Sequence, residues 1–279
     1  MAITAQDVNR LRQITGAGMM DCKKALSEAE GDFDLAIEVL RKKGQKVSAN
    51  RADRDAREGA VFIKENAAGN EAILIELNCE TDFVARNEDF QGLGNLIANA
   101  AEANSPADID ALKALVVEGT SIEERISSSV GKIGEKIDVS RYERISGDKV
   151  VSYIHPGARV GVVVAFSNVQ QKDATAVGKD VAMQIAAMNP IALDKDDVPA
   201  DVITKEIEIG KELAINEGKP AAMAEKIALG RLNKFYKDNT LLNQDFVKDT
   251  SKTVGDFVKE SLGAEVKVTA FKRVQLGAS

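Results

Sequence analysis

Histidine, cysteine and aromatic residues are scarce in this chain of 279 residues, which has one His, two Cys, no Trp and 4% aromatics. A zinc site made of His and Cys ligands would need all three of those His and Cys residues, so we expect no such site. Catalysis centred on histidine would depend on His155 alone. Cys22 and Cys79 lie far apart in the sequence, which is typical of reduced thiols in a cytosolic protein rather than of a disulfide framework.

Long hydrophobic runs and an excess of positive charge are also lacking. The longest uninterrupted apolar run is 160–166, far shorter than the roughly 18 residues that span a bilayer. The N-terminus has no basic segment followed by an apolar stretch, so we expect no secretory signal and a cytoplasmic location. The net charge is −7, and neither the first 55 residues nor the remainder is strongly basic. We therefore expect neither a membrane nor a nucleic acid as a direct partner.

Sequence signatures of nucleotide, metal and hydrolase sites are missing or incomplete. The chain has no phosphate-loop motif, and the Gly-Ala-Gly at 16–18 lies between two predicted helices rather than after a strand. The acidic residues within 194–197 lack the Gly and Glu of a calcium loop and are interpreted as helix-start charges. No nucleophile-elbow motif is present, so His155 is interpreted as a turn or interface residue rather than a base. We expect no cofactor and no metal.

The first 44 residues have the apolar periodicity of three short helices. Thr4 and Asp7 predict a capping box, 16–18 ends the first helix, and Gly31 and Asp32 separate the second from the third. The apolar positions recur at intervals of three and four residues: Val8, Leu11 and Ile14, then Cys22, Ala25, Leu26 and Ala29, then Phe33, Ala36, Ile37 and Leu40. Because so small a module buries these stripes only against one another or a partner, we expect some apolar surface to stay free.

Residues 45–58 are polar and lose the apolar periodicity, which predicts a linker that can be helical in part. A run of cations without an acid precedes and enters this segment: Arg41, Lys42, Lys43, Lys46 and Arg51. The favoured interpretation is that these cations complete the C-terminus of a helix and solvate the linker. The alternative is that they face an acidic partner.

From residue 59 the chain contains an internal repeat of strand, turn, strand, loop and helix. Buried strands are predicted at 72–77 and 160–165. The helices that follow share matched positions: Gly94, Ile97, Ala98 and Pro106 in the first copy, and Gly178, Val181, Ala182 and Pro190 in the second. The sequence thus predicts an α+β fold with a duplicated core and antiparallel sheets, divided into subdomains 59–140 and 141–279. The loop between strand and helix, 80–88, is longer in the first copy.

The second copy is interrupted by residues 191–240, which predict an inserted antiparallel helical hairpin with a turn at 218–220. Two apolar stripes are expected to face each other across it: Ile203, Ile207, Gly210 and Ala214 on one helix, and Met223, Ile227 and Gly230 on the other. A short helix at 254–262 and an alternating strand at 265–270 follow.

The long loop of the first copy carries Phe83 and Val84 among polar residues, in a chain with few aromatics. An aromatic side chain presented on a loop by a rigid scaffold is typical of a binding anchor. The alternative is that Phe83 folds back into the core.

Four segments of the chain resemble, in order, the signature and flanking segments of one family: TGAGMMDCKKAL at 15–26, NCETDFVA at 78–85, HPGARVG at 155–161 and SKTVG at 251–255. That family is bacterial translation elongation factor Ts, the guanine-nucleotide exchange factor of elongation factor Tu. The resemblance covers nearly the whole chain.

The resemblance implies a function and a set of site residues. The N-terminal helices, of the ubiquitin-associated type, would dock on the partner's G domain through Arg12, Met19, Met20 and Lys23. A second segment would wedge into the G domain and disturb its Mg²⁺ and phosphate binding: Thr81, Asp82, Phe83 and Val84. His155 and Val247 would approach another domain of the partner. The resemblance also implies a non-enzyme, and because both halves of the core are present, a one-to-one complex with elongation factor Tu.

The sequence departs from the family pattern in two places. Many long members continue with a helix past the final strand, whereas this chain stops near Leu276, so that contact is not expected. Glu80 stands where Gln is common, which is interpreted as a minor change. Two other classes remain open from the residues alone: a binding module or chaperone-like adaptor that leaves nucleotide affinity unchanged, and a hydrolase that uses His155.

Overall fold

A computed structural model describes residues 3–170 and 172–278. The N-terminal helices are α1 (Ala5–Thr15), α2 (Met19–Glu28) and α3 (Phe33–Arg51). Thr4 and Asp7 form the predicted capping box, and Gly16 ends α1 in the left-handed conformation with φ 66°. The side chains that fill the small core of this module are Val8, Leu11, Cys22, Ala25, Leu26, Ala29 and Ala36. The three-helix module is confirmed, although Ile14 is 57% exposed and lies outside its core.

Helix α3 is longer than the sequence predicts and crosses into the segment expected to be a linker. Residues 45–51 are helical and continue α3 without a break. Gly44, buried in this helix, packs against α7 (Ile122–Ile133), where a Cβ on Gly131 would lie 2.7 Å from the Gly44 Cα. Two glycines therefore let the helix backbones approach closely, and this long-range contact extends α3 beyond its own apolar periodicity.

The core has two three-stranded antiparallel sheets. The first has the order β1-β2-β5 and the second the order β10-β7-β6. Their strands are β1 (Glu58–Glu65), β2 (Glu71–Cys79) and β5 (Ile137–Ser146), and β6 (Lys149–Ile154), β7 (Val160–Ser167) and β10 (Lys267–Gln275). Two short pairs lie outside these sheets: β3 (Val116–Val117) with β4 (Thr120–Ser121), and β8 (Asp245–Phe246) with β9 (Asp249–Thr253). Strand β5 pairs with β2 as far as Ser146, so the predicted division after residue 140 falls within a strand of the first sheet.

The sheets pack back to back, and helices cover their outer faces. Val61, Leu74, Val163 and Val274 belong to the layer between the sheets. The covering helices are α5 (Glu88–Asn104) and α7 on the first sheet, and α8 (Thr175–Met188) and α11 (Val254–Leu262) on the second. Because β2 and β7 are central strands buried on both faces, they read as continuous apolar runs rather than as alternating patterns.

The two copies of the repeat correspond element by element. Strands β1 and β2 with α5 match β6 and β7 with α8. Each helix ends in a left-handed residue directly before a proline, Ser105 with φ 45° and Asn189 with φ 46°. The loop between strand and helix, 80–87 in the first copy, is only one residue longer than 168–174 in the second, because most of the extra length lies in α5 (17 residues) relative to α8 (14 residues). The first loop contains the short helix α4 (Asp82–Ala85), and α6 (Ile109–Ala114) follows α5. The predicted α+β class and the repeat are therefore confirmed.

The insertion is an antiparallel hairpin of α9 (Ala200–Asn216) and α10 (Ala221–Asn239). The expected stripe on the second helix is wrong, because Met223 is 52% exposed and Gly230 is exposed. The buried residues are instead Ala224, Ala228 and Leu232, which lie opposite Gly210 and Ala214. A Cβ on Gly210 would lie 3.0 Å from the Ala228 Cα, so the close approach of the helices selects small residues over large apolar ones.

The helix Val254–Leu262 has the predicted bounds, whereas β10 begins two residues later than the predicted strand 265–270 and ends five residues further along the chain. Asp194 caps a short 3₁₀ helix, Lys195–Asp197, as a helix-start charge would. A second 3₁₀ helix, Leu241–Asn243, follows the hairpin. Within the residues that the structure describes, no helix is both long and apolar enough to cross a membrane.

Candidate functional site

Phe83 lies on α4 and is 81% exposed. The neighbouring positions face the other way: Val84 is half-buried against the first core cluster, and Ala85 is buried. Of the two alternatives for Phe83, the structure selects the exposed side chain. The long loop thus presents a large apolar group to solvent from a turn whose other residues contact the core.

Thr81 fixes the start of α4. Its hydroxyl donates to Glu135 Oε1 at 2.8 Å and accepts from the Val84 amide at 3.4 Å, while its backbone N–H donates to Glu135 Oε2 at 3.0 Å. Glu135 belongs to the segment between α7 and β5. One carboxylate therefore binds both donors of Thr81, in the manner of a bidentate clamp.

Glu80, directly before this turn, accepts three hydrogen bonds from two other segments. Its Oε1 lies 2.7 Å from the Lys136 backbone N and 2.8 Å from Arg51 Nη1, and its Oε2 lies 3.1 Å from Arg54 Nη1. Burial by itself would raise the pKa of Glu80, but the bonds from the Lys136 amide, Arg51 and Arg54 outweigh it and lower that pKa below its ordinary value of 4.5. Glu80 is therefore firmly ionised near neutral pH.

Cys79, which is buried, and Gln91, which is half-buried, hold the ends of the turn. Cys79 Sγ donates to the Thr81 carbonyl at 3.1 Å, and burial raises the pKa of this thiol to about 12. Gln91 Nε2 donates to the Ala85 carbonyl at 2.6 Å. On the outer side, Asp82 and Arg86 form an ion pair of 2.9 Å. Cys79 is thus a neutral structural group rather than a nucleophile.

The residues expected to dock on the partner lie at the surface of α1 and α2. Met19 and Met20 are 53% and 64% exposed, and Arg12 and Lys23 are exposed as well. Two further apolar side chains of this module, Ile14 and Leu35, are more than half exposed. The apolar periodicity of the sequence predicted that Ile14 lies in the core, so the sequence did not identify Ile14 as part of this exposed surface.

His155 and Val247 lie in two separate turns of the second half. His155 is exposed in the turn between β6 and β7, with Nδ1 3.0 Å from the Tyr153 hydroxyl. Val247 is 46% exposed in the turn between β8 and β9, where its N–H donates to Oε1 of the fully buried Gln184 at 2.9 Å. The candidate residues therefore occupy α1, α2, the α4 turn and two further turns, and residues 81–84 are consecutive in the α4 turn.

The cations near the end of α3 pair within the chain. The pairs are Arg41 with Glu124, Lys42 with Glu38, Lys43 with Asp21 and Arg51 with Glu80. The pairs of Arg41 and Arg51 join α3 to α7 and to the α4 turn. These internal ion pairs favour a structural role for these four cations over contact with an acidic partner.

Among residues 3–170 and 172–278, no group of three or more His, Cys, Asp or Glu side chains could hold a metal ion. A cleft of about 500 Å³ lies between the N-terminal helices and the core. Ile37, Leu40, Leu93 and Leu96 provide its apolar wall, and the Lys132–Asp89 ion pair of 2.8 Å lies at its edge.

An exposed aromatic on a clamped turn, together with a helical module that exposes methionines, is typical of a factor that acts through protein-binding surfaces. The family described as Elongation factor TS matches residues 80–278. The chain belongs to this family and is a translation elongation factor.

Close relatives span the full length of the chain. It is 55% identical over 278 residues to Elongation factor Ts of Amoebophilus asiaticus, covering 100% of both chains. It is 52% identical to Elongation factor Ts of Cytophaga hutchinsonii, covering 98% of this chain and 99% of the relative. The identity with Elongation factor Ts of Flavobacterium psychrophilum is 51%, covering 99% of each.

Proposed function

We propose that this protein promotes the release of GDP from elongation factor Tu and catalyses no chemical reaction of its own. The observation that carries the proposal is Phe83, 81% exposed on a turn that the core holds in place. Membership of the elongation factor Ts family supports the choice of partner. The complex is one-to-one and cytoplasmic.

The mechanism follows from linkage between two binding equilibria. GDP in such a GTPase is held by a phosphate loop and by Mg²⁺, whose charge neutralises the phosphates. Phe83, inserted between helices of the G domain, favours a state in which those groups are displaced. Thr81 caps the turn, Val84 packs against the core, and Asp82 pairs with Arg86 on the outer side of the turn. By reciprocity, the factor by which this protein weakens GDP binding is the factor by which GDP weakens its own binding, so nucleotide rebinding releases it.

The other candidate residues supply affinity for elongation factor Tu and do not displace the groups that hold GDP. Met19 and Met20 offer adaptable apolar contact, and Arg12 and Lys23 flank them with positive charge. His155 and Val247 give a second contact with another domain of the partner. Binding energy from these distant surfaces can then offset the cost of distorting the nucleotide site.

Phe83→Ala tests the wedge directly. We expect GDP release to slow by roughly tenfold to a hundredfold, the range for removal of a central aromatic anchor. The measurement is stopped-flow release of fluorescent GDP from elongation factor Tu at saturating exchange factor. The unfolding midpoint should not change, because the side chain is exposed.

Val116→Ala is the matched control, because Val116 is an apolar residue that is 67% exposed outside the proposed contacts, and it should exchange like wild type. A Phe83→Ala protein with undiminished exchange would refute the wedge. If wild type forms the complex but leaves the rate of GDP release unchanged, the protein is a binding adaptor instead.

A further inference from the structure

The α4 helix is too short to fix the direction of Phe83 by itself. It has four residues, whereas isolated helices shorter than roughly 12 residues are marginal in water. The ring is 81% exposed, so packing against the rest of the protein restrains little of it. Its position must therefore be set by contacts made before and after the turn.

Two carboxylates supply the contacts before the turn. Glu135 binds the N–H and hydroxyl of Thr81, the N-cap residue. Glu80 binds the Lys136 amide and two arginines. Its side chain is 18% exposed and that of Arg51 is 24% exposed, so this pair is shielded from solvent more than an ordinary surface ion pair.

The Glu80 contacts also connect the turn to the N-terminal helices. Arg51 is the last residue of α3, the helix whose first part belongs to the three-helix module. Lys136 reinforces the junction, because its Nζ donates to the Ala52 carbonyl at 2.5 Å and to the Arg54 carbonyl at 2.9 Å. A shift of α3 therefore moves the groups that hold the residue before Thr81.

We propose that Glu80 and Glu135 are positioning residues that hold Phe83 in its wedging orientation, and that Glu80 couples this orientation to the end of α3. The inference rests on the proposed exchange function. It assigns these carboxylates no contact with the partner, since they act through the turn.

Although glutamine is common at this position in the family and the sequence alone predicts only a minor change, the three hydrogen bonds of Glu80 in this chain predict a larger effect of Glu80→Gln. Both carboxylate oxygens are acceptors, and together they serve three donors. A glutamine amide has one acceptor oxygen and turns an NH₂ donor toward the other arginine. Glu80→Gln thus keeps the size of the side chain but cannot satisfy Arg51 and Arg54 together.

The experiment is a double-mutant cycle on GDP release. We expect Glu80→Gln to slow release at saturating factor by roughly threefold to tenfold, the effect of losing a charge-assisted hydrogen bond. In the Phe83→Ala background the same change should alter release by less than about twofold, because the side chain being positioned is gone. Equal losses in both backgrounds, or no loss in the first, would overturn the proposal.

Conservative variants separate positioning from general damage. Arg51→Gln should behave like Glu80→Gln, whereas Arg51→Lys, which keeps the charge, should recover part of the rate. Glu265→Gln removes another ion-pair carboxylate, the partner of Lys172 in the second half, and should leave exchange unchanged. If Arg51→Lys released GDP as slowly as Arg51→Gln, the result would contradict the role of the ion pair.

Amide hydrogen exchange tests the same contacts without the partner. Glu80→Gln and Glu135→Gln should speed exchange of the Thr81 and Ala85 amides by a larger factor than exchange of the amides in β7. Unchanged protection of these amides would overturn the positioning role whatever the nucleotide assay shows. If the amides respond but wild type does not accelerate GDP release, the proposed function fails and the positioning contacts stand.

Discussion

Phe83 remains in solvent because its neighbours make the contacts that fix α4. Thr81 caps the turn and Ala85 is 8% exposed. Full burial of a phenylalanine would contribute about 1.5–3 kcal/mol, which the free protein does not gain at this position. Binding can recover that stabilisation, which is why a fixed, exposed aromatic is an effective anchor.

Glu80 makes the stability of the protein depend on pH in a definite direction. Its pKa is lower in the folded protein than its ordinary value of 4.5, so its stabilising effect is complete above that value and is lost as the pH falls through the folded pKa. We expect Glu80→Gln to lower the free energy of unfolding at neutral pH, and this deficit to shrink below pH 4.5. Urea unfolding of both proteins across this range measures the difference.

Glu118→Gln serves as the control for that series, because its carboxylate is 82% exposed in the pair with Arg125. An exposed pair contributes little, so this variant should follow wild type at every pH. A Glu80→Gln deficit that stays constant from neutral to acid pH would show that the charge of Glu80 does not stabilise the fold.

At the scale of the element, local patterns predicted the position of most helices and strands. The helix Val254–Leu262 matches its expected bounds, because its apolar spacing and its Thr253 cap are both local signals. The extension of α3 was not predictable, since it depends on Gly44 meeting Gly131 from a distant part of the chain. The apolar stripe predicted for the second helix of the hairpin was wrong for a related reason. Close packing of the two helices favours Ala228 over the more hydrophobic Met223.

The residues of the candidate site also fall into those that the sequence indicated and those that only the fold reveals. The length of the loop and its lone aromatic indicated Phe83, and the resemblance indicated its neighbours. The partners that hold the turn, Glu135 and Arg51, lie 54 residues after Thr81 and 29 residues before Glu80, respectively. No periodicity connects residues so far apart, so only the folded chain reveals them.

Met20→Ser tests the exposed face of α1 and α2 as a docking surface. We expect affinity for elongation factor Tu to fall by roughly fivefold to thirtyfold, as for an apolar contact residue worth about 1–2 kcal/mol. Calorimetric titration measures this change. Met223→Ser, at a methionine 52% exposed on the hairpin, is the matched control outside the proposed face. Equal affinities of Met20→Ser and wild type would remove Met20 from the docking surface.

The whole molecule connects its surfaces through continuous packing. The two sheets share one buried layer, and α3 links the N-terminal helices to α7 and the α4 turn. The proposed distortion of the partner would need such a connection, because a mobile wedge would move before the partner does. The scarcity of His and Cys is compatible with that proposed mode of action, which would need no catalytic side chain.

The shared layer predicts that the two halves of the core unfold together. Val163 is fully buried between the sheets with Leu74 of the first sheet. We expect Val163→Ala to lower the free energy of unfolding by about 1–3 kcal/mol through lost contacts and a cavity, and to speed amide exchange in β2 and β7 alike. Val116→Ala, at a position 67% exposed, should do neither. If β7 amides lost protection in Val163→Ala while β2 amides kept theirs, the halves would be independent folding units, and the layer between them would not transmit strain from one to the other.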